Sequence, residues 1–335
     1  MERERMWWWS SSSTKLRSNL ERFLIGITPI PPSFSLSQSC ENDLNSLWIQ
    51  ESKDETEYFK LSDLWDYFDE LSAYGLGSKV VLNNGDSVMQ YYVPYLSAIQ
   101  IYTNNKSTAM SRNQSDVVDY ESECWSDDSE IEKLPRSLSS RSSSVSEDSG
   151  YEIDGVSSLM RDKLGSIDFQ FFESIKPHLR VPLTTKVKEL ANKYPGLTTQ
   201  RNVDLSPASW MAIAWYPIYH IPPRKIDKDL STCFLSYHTL SSAFQGHLVE
   251  GDDDDEINET MDEETLCCED ESVTKRLPLP PFGLVSYKLQ GDLWGNQESS
   301  DQERLVYLRS AADSWLKQLN VHDHHDYIFF SMNKS

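Results

Sequence analysis

Two stretches of this sequence cannot contribute to a packed interior, and they limit where any fold can lie. Residues 104–160 crowd serines around acids (Ser126-Asp-Asp-Ser-Glu130) and around arginines (Arg136-Ser-Leu-Ser-Ser-Arg-Ser-Ser-Ser144), with few apolar residues and no period among them. Residues 250–271 hold 13 Asp or Glu and no Lys or Arg, so self-repulsion extends them. Ordering a backbone costs about 1–2 kcal/mol per residue, and neither stretch has the apolar surface to offset that. Both are expected to be disordered. The 10 Trp, 16 Tyr and 12 Phe lie mostly elsewhere, in segments that look like parts of one core.

Local patterns give those segments their elements. Ser18-Asn-Leu-Glu21 is a capping box, so a short helix should begin there. Leu61, Leu64, Trp65, Phe68 and Leu71 recur at helical spacing, with Ser62 and Asp63 suited to the N-terminus and Gly75 to the stop. Asn83-Asn84-Gly85-Asp86 between two β-prone runs predicts a hairpin. Its second run is expected to break at Pro94 and resume from Tyr95 to Tyr102. Order returns near Ile167, followed by a helix over 185–194 and a central strand from Ser209 that ends at Pro217. Thr232 to His238 reads as the neighbour of that strand, and Phe282 to Leu289 as another. Ser300-Asp-Gln-Glu303 is a second capping box, opening a helix striped by Leu305, Leu308, Ala312, Trp315 and Leu319. Tyr327 to Phe330 reads as a short final strand.

Helices and strands in mixed order, without βαβ spacing, predict an α+β fold with a mainly antiparallel sheet packed by a few helices. The expected organisation is a disordered extension over 1–14 and a single domain formed by 15–103, 161–247 and 276–335. Two long disordered insertions, 104–160 and 248–275, interrupt it.

These blocks resemble the plant family called domain of unknown function 789. The resemblance rests on Ser18-Asn-Leu-Glu-Arg-Phe-Leu24, Leu61-Ser-Asp-Leu-Trp65, the run from Asp86 to Tyr102, the run from Ser209 to Tyr219, Phe282-Gly-Leu-Val-Ser-Tyr287 and Ala311-Ala-Asp-Ser-Trp-Leu316. It covers nearly all of the chain expected to be ordered and implies a plant protein. It supplies no activity and no catalytic residue.

The net charge of −22 opposes binding to nucleic-acid phosphates or anionic lipid, so the partners expected are proteins, with no nucleic acid and no membrane. Five cysteines without CxxC spacing argue against a disulfide framework or zinc site and fit a reducing compartment. No run approaches the ~18 apolar residues of a membrane span, and Glu2 and Glu4 argue against a transit peptide. An intracellular protein, cytoplasmic or nuclear and not secreted, is expected.

The sequence has no P-loop, GxGxxG, GxSxG or HExxH, and neither a cofactor nor a catalytic set is expected. Asp252 to Glu256 lacks the glycine and distal glutamate of a calcium loop and reads as a solvated linker. His322-Asp-His-His325 reads as a polar connection between helix and strand, since no further metal ligand is evident. Lys275-Arg-Leu-Pro278-Leu-Pro-Pro281 matches a PxxP ligand, but re-entry from the acidic linker into a strand is the simpler reading. Ser129, Ser139 and Ser144 carry acid-directed or arginine-directed kinase spacings and are the candidate phosphorylation sites. Gln90, Tyr92, Trp210, Tyr219 and His220, in the densest aromatic segments, are the candidate binding surface.

These readings favour a non-enzymatic interaction or regulatory protein with phosphorylatable insertions, and lean away from an enzyme. The alternative is an enzyme of unrecognised type with an aromatic-lined pocket whose polar groups come from His220, His238, Asp86 or Arg224.

Overall fold

Strand β4 (Ser87–Thr103) organises the molecule: it is 17 residues long and, after the exposed Ser87, alternates buried and half-buried side chains from Val88 to Leu96. In the computed structural model, residues 17–37, 55–103, 164–223, 228–244, 275–289, 293–295 and 300–332 are described. Along one side of β4 lies β6 (Trp210–Ile221), paired from Met89↔Ile221 to Gln100↔Trp210. Along the other side β3 (Leu76–Val81) pairs with residues 87–92 and β5 (Ser166–Phe172) with residues 98–103. The sheet continues from β6 to β7 (Cys233–Thr239) and β8 (Gly283–Tyr287), every pairing antiparallel. A separate ribbon pairs β1 (Phe34–Ser37) with β2 (Glu55–Tyr58), in a region to which the sequence patterns assign no element.

The expected α+β architecture is therefore present, with the sheet sandwiched between helices. On one face lie α1 (Asn19–Gly26), α2 (Leu61–Tyr74), α3 (Leu183–Ala191) and the single turn α4 (Gly196–Thr199). They cover an aromatic core in which the Phe23 ring meets Phe234, Tyr92, Trp294 and Trp215 at centroid distances of 4.2, 5.1, 5.9 and 6.3 Å. On the other face α5 (Asp301–Gln318) and α6 (His325–Met332) close over Ala98, Ala212, Ala214, Leu235 and Val285. Small side chains let α5 approach: a Cβ on Gly283 would sit 2.9 Å from that of Ala312.

Local chemistry explains most boundaries. Ser18 Oγ accepts the Glu21 amide at 3.1 Å, as the capping box predicts, and donates to Asp301 Oδ1 at 3.0 Å. Gly75 stops α2 with φ of 79°, and Gly85 turns the β3–β4 hairpin with φ of 85°. At Ser300, by contrast, the side chain makes no capping hydrogen bond, although α5 does begin at the next residue.

Three expectations need correction. Pro94 does not break β4, because residues 93–97 fall between the reach of β3 and that of β5. No partner strand on that side requires its missing N–H. Pro217 does not end β6, because β7 pairs only with residues 210–215 and leaves the same freedom there. Tyr327 to Phe330 is not a strand but the middle of α6: Asp326 and Phe330, one helical turn apart, are 4% and 1% exposed, while Ile328 between them is 36% exposed.

The Phe23 cluster predicts that Phe23→Ala, which deletes the ring touching four other aromatics, destabilises the fold by about 3–5 kcal/mol. Urea unfolding followed by tryptophan fluorescence checks this; a loss below about 1 kcal/mol would mean that the cluster repacks without cost.

Candidate functional site

The gap in pairing along β4 also creates its chemistry. Between Leu96 and Ala98 the register with β6 slips by one residue, and bulges of this kind re-aim a side chain. The extra residue is Ser97. Its carbonyl accepts the Glu173 amide at 2.8 Å, and its fully buried hydroxyl faces α6.

The partners of Ser97 come from the segment between α5 and α6. After Leu319 the chain enters the left-handed region at Asn320 (φ 53°), with Asn320 N–H donating to the Lys317 carbonyl and Val321 N–H to that of Leu316. This double closure is a Schellman stop, with asparagine in the place usually taken by glycine. It returns the chain toward the sheet, bringing His324 and Asp326 beneath β4. Asp326, in the first turn of α6, sits where the helix dipole favours negative charge.

Ser97 Oγ lies 2.5 Å from Asp326 Oδ2 and 2.9 Å from His324 Nε2. His324 Nδ1 lies 3.2 Å from the Tyr237 hydroxyl. Arg180 donates to both oxygens of Asp326, Nη1 to Oδ2 at 2.8 Å and Nη2 to Oδ1 at 2.7 Å. Phe172, Trp210 and Tyr327 surround the His324 ring at centroid distances of 6.0, 5.9 and 6.4 Å.

Hydrogen counting gives the network a direction. Ser97 has one proton, and a carboxylate can only accept, so Ser97 donates to Asp326. His324 Nε2 must then carry a hydrogen and donate it to Ser97 Oγ, leaving Nδ1 to accept from Tyr237. Burial pushes the Tyr237 phenol well up, so it keeps its proton. Burial also drives His324 down to about 4, outweighing the nearby Asp326, so the imidazole is neutral at pH 7. The chain runs Tyr237 to His324 to Ser97 to Asp326, with Arg180 closing the far end. It has the residues of a Ser-His-Asp triad in another order: the carboxylate contacts the serine, and a tyrosine occupies the imidazole nitrogen that the carboxylate usually orients.

This network overturns the reading of a non-enzymatic protein without a catalytic set, because Ser97, His324, Asp326 and Tyr237 form a triad-like group inside the fold. It corrects the His322–His325 reading as well, since His324 is 1% exposed and bonded to β4 and β7. Residues 227 and 229 positions apart meet here, so spacing carried no signal. The one available clue was a serine set in the apolar run Tyr95-Leu-Ser-Ala-Ile99.

Of the residues singled out as a binding surface, Gln90, Tyr219 and His220 are neighbours across β4 and β6, but Tyr92 and Trp210 do not join them on one surface. Tyr92 and Trp210 are fully buried and belong to the two cores on opposite faces of the sheet. Gln90 is buried and donates to the carbonyls of Tyr91 and Tyr219, both at 3.0 Å. Tyr219 is 48% exposed and stacks on Tyr91 at 4.6 Å, while His220, opposite Gln90, is half-buried. Ser129, Ser139, Ser144, Arg224 and the Asp252–Glu256 run lie outside the described residues.

His238 is fully buried in a second polar chain on the opposite face. Its Nδ1 donates to the Leu279 carbonyl at 2.8 Å and its Nε2 accepts from Ser236 Oγ at 2.9 Å, which accepts in turn from Trp215 Nε1 at 2.9 Å. The PxxP segment supplies that carbonyl and pairs with residues 29–33, so the fold uses it. A cleft of about 90 Å³ lined by Trp65, Asp66, Asp69 and Lys188 is well below the ~300 Å³ of ordinary ligand pockets. Among the described residues no metal-binding cluster occurs and no helix is long and apolar enough to cross a membrane.

The chain belongs to the family described as Protein of unknown function (DUF789), whose profile matches residues 18–330. No curated protein and no solved structure matches it.

Burial lowers both His238 and His324 to about 4, which gives a signed pH dependence. Between pH 6.5 and 4 the unfolded chain binds a proton at each imidazole that the folded chain refuses. Stability is therefore present above pH 6.5 and lost as pH falls, by about 3 kcal/mol for each histidine. In urea unfolding from pH 7 to 4, His238→Asn and His324→Gln should each flatten the profile relative to the parent. Parallel profiles would show that the two rings titrate alike in both states.

Proposed function

We propose that this protein is an enzyme acting on an ester or amide carbonyl, with Ser97 as nucleophile. The observation that carries the proposal is the position of Ser97 Oγ between a carboxylate acceptor at 2.5 Å and an imidazole N–H donor at 2.9 Å. As the Oγ–carbon bond forms, the hydroxyl proton passes to Asp326 Oδ2, and it is returned to the leaving oxygen or nitrogen as the bond from that atom to the carbonyl carbon breaks, which leaves an acyl-serine. Water repeats the cycle on the acyl-serine. The neutral His324 donates to the oxygen that loses its proton, and Tyr237 fixes the tautomer that allows this donation.

Burial favours a second reading. Ser97 is 0% and His324 1% exposed, so the same chain is suited to clamping α6 against the sheet. Treatment with a fluorophosphonate probe separates the two. The enzyme reading expects covalent labelling at Ser97 that disappears in Ser97→Ala, with the variant still folded. An unlabelled parent whose Ser97→Ala variant unfolds at lower urea assigns the network to the clamp.

We propose further that Ser129, Ser139 and Ser144 are phosphorylated, on the support of their kinase spacings. Phosphopeptide mapping of the native protein should recover at least one of them; an unmodified 104–160 segment removes the proposal.

A further inference from the structure

The outer end of the polar chain is held by one residue of an otherwise exposed segment. Residues 174–182 join β5 to α3, between buried Glu173 and buried Leu183, and every residue among them is exposed or half-buried. Ile175 and Leu179 hold apolar side chains 41% and 65% exposed. The Arg180 side chain is the contrast, only 3% exposed. Its guanidinium grips both oxygens of Asp326, its Nε donates back to the Ile175 carbonyl at 2.8 Å, and it lies 6.0 Å from the Tyr216 ring centroid. At the segment's start Glu173 Oε1 accepts the amides of Ser174 and Ile175 at 3.0 and 2.9 Å. Among the described residues, the other hydrogen bonds of 174–182 stay within it and its immediate neighbours.

Few apolar contacts and local hydrogen bonds make such a segment among the first to open. A bidentate arginine–carboxylate pair is the strong, oriented contact that can keep it shut. Asp326 Oδ2 also receives the Ser97 proton, so the contact that ties down the segment shares an atom with the proposed reacting pair.

We propose that residues 174–182 are a strap across the site, latched by Arg180 on Asp326, and that its release admits substrate to Ser97. The proposal rests on the enzymatic reading of Ser97. Release does two things at once: it uncovers the serine and leaves Oδ2 with the Ser97 proton as its remaining hydrogen bond within the chain described. Arg180 is thus a positioning and gating residue that touches the site through Asp326.

Access to position 97 tests the gate without depending on catalysis. The full chain carrying Ser97→Cys is treated with iodoacetamide, and alkylation at position 97 is followed by peptide mass mapping. Burial holds the Cys233 thiol up at about 12, and mapping distinguishes every other cysteine. The measurement is repeated with Arg180→Gln added, and separately with Lys176→Gly and His178→Gly, which loosen the strap and leave the ion pair in place. A gate predicts alkylation about tenfold faster in both backgrounds, with hydrogen exchange in β4 and β6 unchanged. Equal rates in the glycine background, where the Arg180–Asp326 pair is intact, overturn the strap even if Arg180→Gln fails to fold. Fluorophosphonate labelling of the parent is scored beside it. Strap-independent access with a labelled Ser97 removes the gate and leaves the enzyme. Strap-dependent access with an unlabelled Ser97 removes the role in admitting substrate.

Discussion

Strand β4 is paired continuously on one side and in two separate stretches on the other, and that asymmetry shapes the rest of the molecule. β3 and β5 lie end to end against it, so residues 93–96 have a free edge inside an otherwise continuous sheet, which closes again where the Ser97 carbonyl accepts the Glu173 amide. A proline is tolerated there because no ladder bond is lost, and the bulge falls at the end of that edge, where the Glu173 amide meets Ser97 just before the first β5 pair, Ala98↔Phe172. The sheet stays intact through β6, while Ser97 turns into the space beneath α6. A polar side chain thus reaches the interior from a strand whose neighbours are core residues.

Two buried histidines serve that interior differently. Each is neutral for the same reason, desolvation, and each is bonded to a serine hydroxyl. The His238 chain begins at an indole N–H and ends at a backbone carbonyl, so every donor finds an acceptor and no group in it carries charge. Such a chain fixes β7 to the segment around Leu279. The His324 chain ends on a carboxylate that also binds a guanidinium. Replacing a buried ion pair by apolar groups is often neutral or stabilising, so stability alone is a weak reason for keeping one.

Most of the fold was legible because its signals are local. The Ser18 cap, the Gly85 turn and the β6 aromatic run each act within a few residues; the cap and the turn form as expected, and the run is a strand that continues past its expected end at Pro217. Where the reading failed, a distant partner decided. The run Tyr-Ile-Phe-Phe over 327–330 suits a strand by propensity, and short apolar runs do not distinguish strand from helix. The Schellman turn at Asn320 and the tie from Asp326 to Ser97 and Arg180 select the helix. The proline breaks failed in the same way, since a proline's cost depends on which side of the strand is paired. The site lay beyond local signals altogether: Ser97, Arg180, Tyr237 and the His324–Asp326 stretch are four segments far apart in the chain. The surface predicted from aromatic density separated because alternate strand residues face opposite sides of a sheet, which sent Tyr92 and Trp210 to different cores.

The direction of the hydrogen bonds bears most on what the network can do. In the usual triad the carboxylate orients the imidazole and the imidazole takes the serine proton. Here the imidazole's hydrogen points at the serine, and the serine's hydrogen points at the carboxylate. Reversal would need Tyr237 to turn its hydroxyl hydrogen away from His324 and the serine to leave Asp326, two rearrangements inside a packed face. Proton flow from Ser97 to Asp326 needs neither. If the serine reacts, the carboxylate is therefore its base and the histidine its hydrogen-bond donor. Among the described residues, the contact that competes for that carboxylate oxygen comes from Arg180, the buried side chain of an exposed segment.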